Sequence, residues 1–295
     1  MLKSKKIFLP LCLVSIVTII LRTMLIINNT DELGFYIEKT PVLTCLNLTL
    51  IIFSLICFIV PMFDKFPEEN RSRNNDKLLG ITSAIFGGVL MFVGLVDFFV
   101  MLQLLWSFDF REIIYLLLHT PNSITKILYL IVSFFTGWML TMTSMKILNN
   151  KPVYNNYGLS VMFLTWTVMR ILLFVKINTT IVTIADNLYS VIMMIASMVF
   201  LFNVSRILFD ENYKKGYKWA LFSGFILILF GLLSVVPNYI AWFMNQNAFF
   251  SIKDTETILT EMLTLFAIVF ICVIIYSKGE NVKMFERNES DEIKL

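Results

Sequence analysis

The chain has 295 residues, 58% hydrophobic and only 15% charged, with a mean hydropathy of +0.79 and a net charge of +3. A soluble domain carries about 45–50% apolar and about 25% charged residues, so too little polar surface remains to coat a water-facing globule of this size. The small positive excess comes without any basic cluster interleaved with aromatics, which leaves no case for a nucleic-acid partner.

The apolar residues are gathered into blocks of about 20, the length that crosses a hydrocarbon layer of about 30 Å. This predicts an all-α, polytopic integral membrane protein with about eight transmembrane helices, its first partner being the lipid bilayer. The first block follows a basic start, as in a secretory signal, but runs on to Ile27 with no small-residue cleavage site, so a retained span over 7–27 is expected. The others are predicted at 41–63, 78–106, 124–147, 158–176, 186–208, 219–243 and 257–277. Polar or turn chemistry fills the breaks, among them NNTDELG (28–34), FPEENRSRNNDK (66–77), HTPNS (119–123) and DENYKKG (210–216). The third span is long enough to tilt or to leave the bilayer near Trp106.

Lys and Arg set the orientation. With the first residues placed in the cytoplasm, Lys3, Lys5 and Lys6 share that side with Lys65, Arg71, Arg73 and Lys77, with Lys146 and Lys151, and with Arg206, Lys214, Lys215 and Lys218. Lys278, Lys283, Arg287 and Lys294 of the final tail join them, against Lys39, Arg111, Lys126, Lys176 and Lys253 on the other side. Both termini are expected to be cytoplasmic, in a multi-pass protein of the cell membrane.

The chain also matches itself. Phe63-Asp64 after the second span corresponds to Phe209-Asp210 after the sixth, and Arg22 in the first span to Arg170 in the fifth. FGGVLMFVGL (86–95) aligns with SGFILILFGL (223–232), bringing Gly87 and Gly94 onto Gly224 and Gly231. Two parallel four-span repeats are expected, 1–148 and 149–277, followed by a charged cytoplasmic tail over 278–295.

An ionisable side chain inside a span costs about 2.5–3.5 kcal/mol on insertion scales and is by default a functional candidate. Arg22 and Arg170 both fall in the outer half of the bilayer, about 22 Å and about 18 Å from the inner face at 1.5 Å per residue. The acids nearest that depth are Asp97, Asp186 and Glu261. These five residues form a candidate site for a small anionic or carboxylate-bearing ligand, with the rigid guanidinium forks holding the anion and an acid balancing the charge or carrying a coupling proton. Structural ion pairing on neighbouring helices and snorkelling of the arginine heads to the interface compete with that reading.

Gly80, Gly87 and Gly94 recur every seven residues on one stripe of the third span, and Gly224 and Gly231 do so on the seventh, as close helix packing in lipid requires. The two stripes could face each other across the repeat axis. Pro237 predicts a kink late in the seventh span. Trp106, Trp219 and Trp242 suit interfacial anchors, whereas Trp138 and Trp166 fall mid-span and are expected in the core. One histidine, His119, and cysteines confined to apolar blocks predict neither a metal site nor a cofactor.

The stretch LRTMLIINNTDELGFY resembles a first-span element found in uncharacterised multi-span membrane proteins of low-GC Gram-positive bacteria. Arg22, Asp31, Gly34, Phe35 and Tyr36 carry the likeness, which brings no activity with it. Transport or ligand sensing is therefore the leading expectation. An accessory or structural subunit bound to another membrane protein is the alternative, and a membrane enzyme using His119 and outer-loop acids is third.

Overall fold

The computed structural model describes residues 3–29, 40–63, 77–106, 123–149, 157–178, 184–208, 213–244 and 255–276. His119, the Asp31–Tyr36 segment and the tail over 278–295 lie outside these residues. Eight helices make up the described chain, with no strand among them: α1 (Lys3–Asn29), α2 (Pro41–Met62), α3 (Lys77–Leu105), α4 (Ser123–Leu148), α5 (Tyr157–Asn178), α6 (Ile184–Leu208), α7 (Tyr213–Phe243) and α8 (Thr255–Tyr276). Helices α1 to α7 are each long and apolar enough to cross a membrane. The apolar run of α8, Thr257–Val273, is shorter. At 22 residues α8 as a whole is about 33 Å long, equal to α2. The chain is an all-helical, membrane-spanning bundle.

Local chemistry explains how polar residues survive in these helices. Thr40 caps α2 by accepting from the Leu43 N–H at 3.3 Å, and Pro41 takes the first helical position, where no N–H is missed. Within the spans, hydroxyls fold back onto the carbonyl one turn earlier, as Thr23 does to Ile19 at 2.8 Å, Ser144 to Leu140 at 2.6 Å and Thr167 to Phe163 at 2.8 Å. Hydrocarbon offers no water, so a hydroxyl satisfied within its own helix is tolerated where a free one is costly.

Six helices close a circuit in which each packs on the next: α3 on α4, α4 on α5, α5 on α6, α6 on α7, α7 on α8, and α8 back on α3. Helices α1 and α2 pair with each other and dock on α7. Their outer faces stay bare, with Leu9, Leu13 and Ile16 exposed on α1 and Leu48, Ile51 and Leu55 on α2. Through its middle, helix α7 is enclosed all round: the consecutive residues Phe225, Ile226, Leu227, Ile228, Leu229 and Phe230, which cover every face, are each 6% exposed or less. Aromatic rings of α3, α5, α6 and α8 meet inside the circuit, some of them from helices that are not neighbours in it. Phe86 of α3 lies edge-on to Trp166 of α5 at 6.4 Å and stacks on Phe266 of α8 at 5.1 Å. Phe200 of α6 meets Phe266 at 6.0 Å and Phe270 at 5.5 Å.

The glycine stripes do not face each other. Gly87 of α3 abuts Gly137 and Thr141 of α4, and Gly80 abuts Leu148 of the same helix. Gly224 of α7 lies against Ile271 of α8 and Phe200 of α6, while Gly231 lies against Thr264 of α8. Gly80 and Gly87 of α3 therefore face α4, and Gly224 and Gly231 of α7 face α8. One tryptophan expectation is corrected: Trp166 is 0% exposed, but Trp138 is 45% exposed on the lipid-facing side of α4. Trp106, just past the end of α3, is 90% exposed, as an interfacial anchor should be.

Candidate functional site

Arg170 lies on α5, one turn beyond Trp166 and on the same face. Its guanidinium is 2% exposed, sits over the Trp166 ring at 5.5 Å from the centroid, and donates from Nη2 to the Thr260 hydroxyl of α8 at 2.8 Å. The indole N–H of Trp166 donates to Ser133 Oγ of α4 at 3.0 Å, and the Ser133 hydroxyl donates to the Tyr129 carbonyl at 2.7 Å. Three helices of the circuit thus converge on one cation, on the rim of the aromatic cluster. The ring face supplies a π-cloud and the hydroxyl a lone pair.

Glu261 follows Thr260 directly and points another way. It is half-buried and accepts from the Tyr239 hydroxyl of α7 at 2.5 Å. Helix α7 runs through Pro237 to Phe243. Proline offers no N–H to the helix there, and the Asn238 amide donates to the Ser234 carbonyl at 2.7 Å within the same turn.

Arg22 belongs to a different group. It is 4% exposed and its guanidinium lies 5.4 Å from the Tyr189 ring centroid. The Tyr189 hydroxyl donates to Asn47 Oδ1 at 2.6 Å, and the Tyr189 ring lies 6.0 Å from Phe230. Helices α1, α2, α6 and α7 therefore meet at this tyrosine. Tyr189→Phe leaves the half-buried Asn47 amide oxygen without this donor and should cost about 1–2 kcal/mol. Adding Asn47→Leu should return part of that loss, since removing both partners is nearly neutral. Thermal unfolding of the two single variants and the double one checks this, and purely additive losses would refute the coupling.

Both arginines occupy one level of the bundle. Arg22 is seven residues from the end of α1 and Arg170 eight from the end of α5, about 11–12 Å along the axis. Their partners Asn47, Tyr189 and Thr260 lie in the second turn of α2, α6 and α8. Asp97, half-buried, stands eight residues before the end of α3. Asp186 falls in the first turn of α6, and its side chain is outside the described residues. The near-complete burial of both guanidiniums places them inside the protein and removes the snorkelling alternative.

The sequence did not point to Thr260, Tyr189, Asn47 or Tyr239. Only Trp166 carried a usable signal, its spacing of four from Arg170. No group of three or more His, Cys, Asp or Glu side chains able to hold a metal occurs among the described residues. Comparison with protein-family models, with curated proteins and with solved structures finds no match, so the functional case rests on this geometry alone.

Proposed function

We propose that the protein transports or senses a small carboxylate-bearing or other anionic ligand across the cell membrane, with Arg170 as the principal anion-binding residue. The observation that carries this is the placement of Arg170: a guanidinium 2% exposed, at membrane depth, in the interior of a six-helix circuit. Charge at that depth is costly, and where it faces the interior of a bundle it marks a substrate or ion path. Arg22 forms a second cationic centre at the same level, between the α1–α2 pair and the circuit. Glu261, one residue from Thr260, balances charge or carries a coupling proton. The basic residues gathered at the opposite end orient that end to the cytoplasm. The matching placement of glycines in α3 and α7 supports two parallel four-helix units.

Thermal unfolding of the detergent-solubilised protein, challenged with a panel of small mono- and dicarboxylates and phosphates, tests this. A ligand at a hundred times its Kd stabilises by about 2.7 kcal/mol. That stabilisation should vanish in Arg170→Gln, with the unliganded variant still folded. If no anion stabilises the wild-type protein and it purifies instead with a second membrane protein, the accessory-subunit reading replaces this one.

A further inference from the structure

At the end of the bundle opposite the arginines, the first turns of α7 carry an ordered stripe. Lys215, Lys218, Trp219 and Phe222 are spaced three, four and seven residues apart and so share one face. The basic residues come first and the aromatic ones deeper, over about 10 Å along the axis. Helix α2 supplies the other wall. Phe58 lies 6.2 Å from Trp219 and 5.1 Å from Phe222, and Trp219 lies 5.9 Å from Phe222. The Lys218 ammonium donates to the Met62 carbonyl in the last turn of α2 at 2.8 Å. Phe58 and Trp219 remain 40% and 39% exposed, beside the bare apolar face of α2.

We infer that this exposed α2–α7 seam binds one anionic phospholipid. An ammonium has three donors, and the bond to Met62 uses one, leaving Lys218 able to hold a phosphate oxygen while fixing the end of α2. Lys215, exposed one turn further out, adds the second charge. The glycerol and upper acyl chain then lie over Trp219, Phe222 and Phe58, the depth at which aromatic rings partition. Charge order and apolar order along the stripe match those of a lipid read from its headgroup inward. A basic pocket at the end of a helix bundle is a recurrent setting for acidic headgroups. The inference goes beyond the anion site and does not depend on it.

The test compares nanodiscs of phosphatidylcholine alone with nanodiscs of mixed phosphatidylcholine and phosphatidylglycerol, with native mass spectrometry reading the lipid kept on release. The wild-type protein should retain phosphatidylglycerol in preference and unfold at a higher temperature in the mixed discs. The preference for phosphatidylglycerol should fall about tenfold in the combined Lys215→Gln, Lys218→Gln variant, a loss of about 1.4 kcal/mol of binding, and the gain in unfolding temperature should shrink with it. Lys77→Gln, which removes an exposed lysine at the start of α3 on the same side, should change neither. If Lys218→Gln proves unstable because α2 loses its terminal bond, Lys215→Gln alone still separates the outcomes. Equal retention of both lipids by the wild-type protein, or equal losses in Lys77→Gln and Lys215→Gln, overturns the proposal.

Discussion

Gly137→Ala is expected to destabilise the protein by about 2–3 kcal/mol, while Gly88→Ala, on a neighbouring helix at similar depth, should leave it unchanged or stabilise it by up to about 1 kcal/mol. A Cβ built on Gly137 would stand 2.6 Å from the Gly87 carbonyl oxygen and 2.9 Å from the Met91 nitrogen. A Cβ on Gly87 would stand 2.8 Å from the Gly137 oxygen and 3.0 Å from the Thr141 nitrogen. Backbone faces backbone on both sides, so no rotamer change can make room, and the added methyl must push α3 and α4 apart. Overpacking of this kind costs about 1–3 kcal/mol, and lipid gives no compensating hydrophobic drive to hold separated helices together. Gly88 meets nothing within 4 Å, so alanine there brings only its better helix propensity.

The same reasoning ranks the remaining glycines. At Gly224 the nearest obstacle is the tip of Ile271, which can turn aside, whereas at Gly231 it is the buried Thr264 side chain, held by its bond to the Thr260 carbonyl at 2.7 Å. At Gly94 the nearest atom is 3.4 Å away, close to ordinary contact. Alanine at Gly94 or Gly224 should therefore cost less than at Gly87 or Gly137. Unfolding temperatures of the purified variants decide the matter, and a Gly137→Ala protein as stable as wild type would show that the α3–α4 crossing is looser than this geometry.

These glycines also mark how far the sequence could be read. Blocks of apolar residues bounded by NNTDELG or DENYKKG locate helices because crossing a bilayer imposes a length, and α1 to α7 follow. The seven-residue spacing of Gly80, Gly87 and Gly94 identifies a packing face, but spacing does not name the partner, which is α4 and not α7. Gly137, isolated in α4, has no periodic mate to announce it although, among the described glycines, its Cβ would make the closest contact with backbone. Trp138 and Trp166 look alike in sequence, and only packing separates a lipid-facing ring from a buried one, since lipid tails are as apolar as leucine. The arginines stood out because charge in a span is rare. Tyr189, Asn47 and Thr260 did not, because a single hydroxyl or amide in an aliphatic run is commonplace and its role depends on which helix lies opposite.

Substitutions at Trp166 and Arg170 should part company, and the difference bears on why a cation is kept at this depth. Trp166 is 0% exposed, donates to Ser133, lies beneath the Arg170 guanidinium and meets Phe86 edge-on. Trp166→Ala removes the largest fully buried side chain among the described residues and should cost about 3–5 kcal/mol. Trp166→Phe, which keeps most of the ring but removes the indole N–H that donates to Ser133 Oγ, should cost about 0.5–1.5 kcal/mol for the lost bond. Arg170→Met is the informative counterpart. Methionine fills a similar volume without charge, and replacing buried ionic groups with well-packed apolar ones is often neutral or stabilising. If the guanidinium serves a ligand, Arg170→Met should unfold within about 1 kcal/mol of wild type, or above it, and lose all anion-dependent stabilisation. If it is instead locked to a buried acid, the same change strands that acid and should cost about 3–5 kcal/mol. Unfolding of Arg170→Met with and without the anion panel distinguishes the two, because only a ligand-binding arginine can be removed at little cost to the fold and at full cost to recognition.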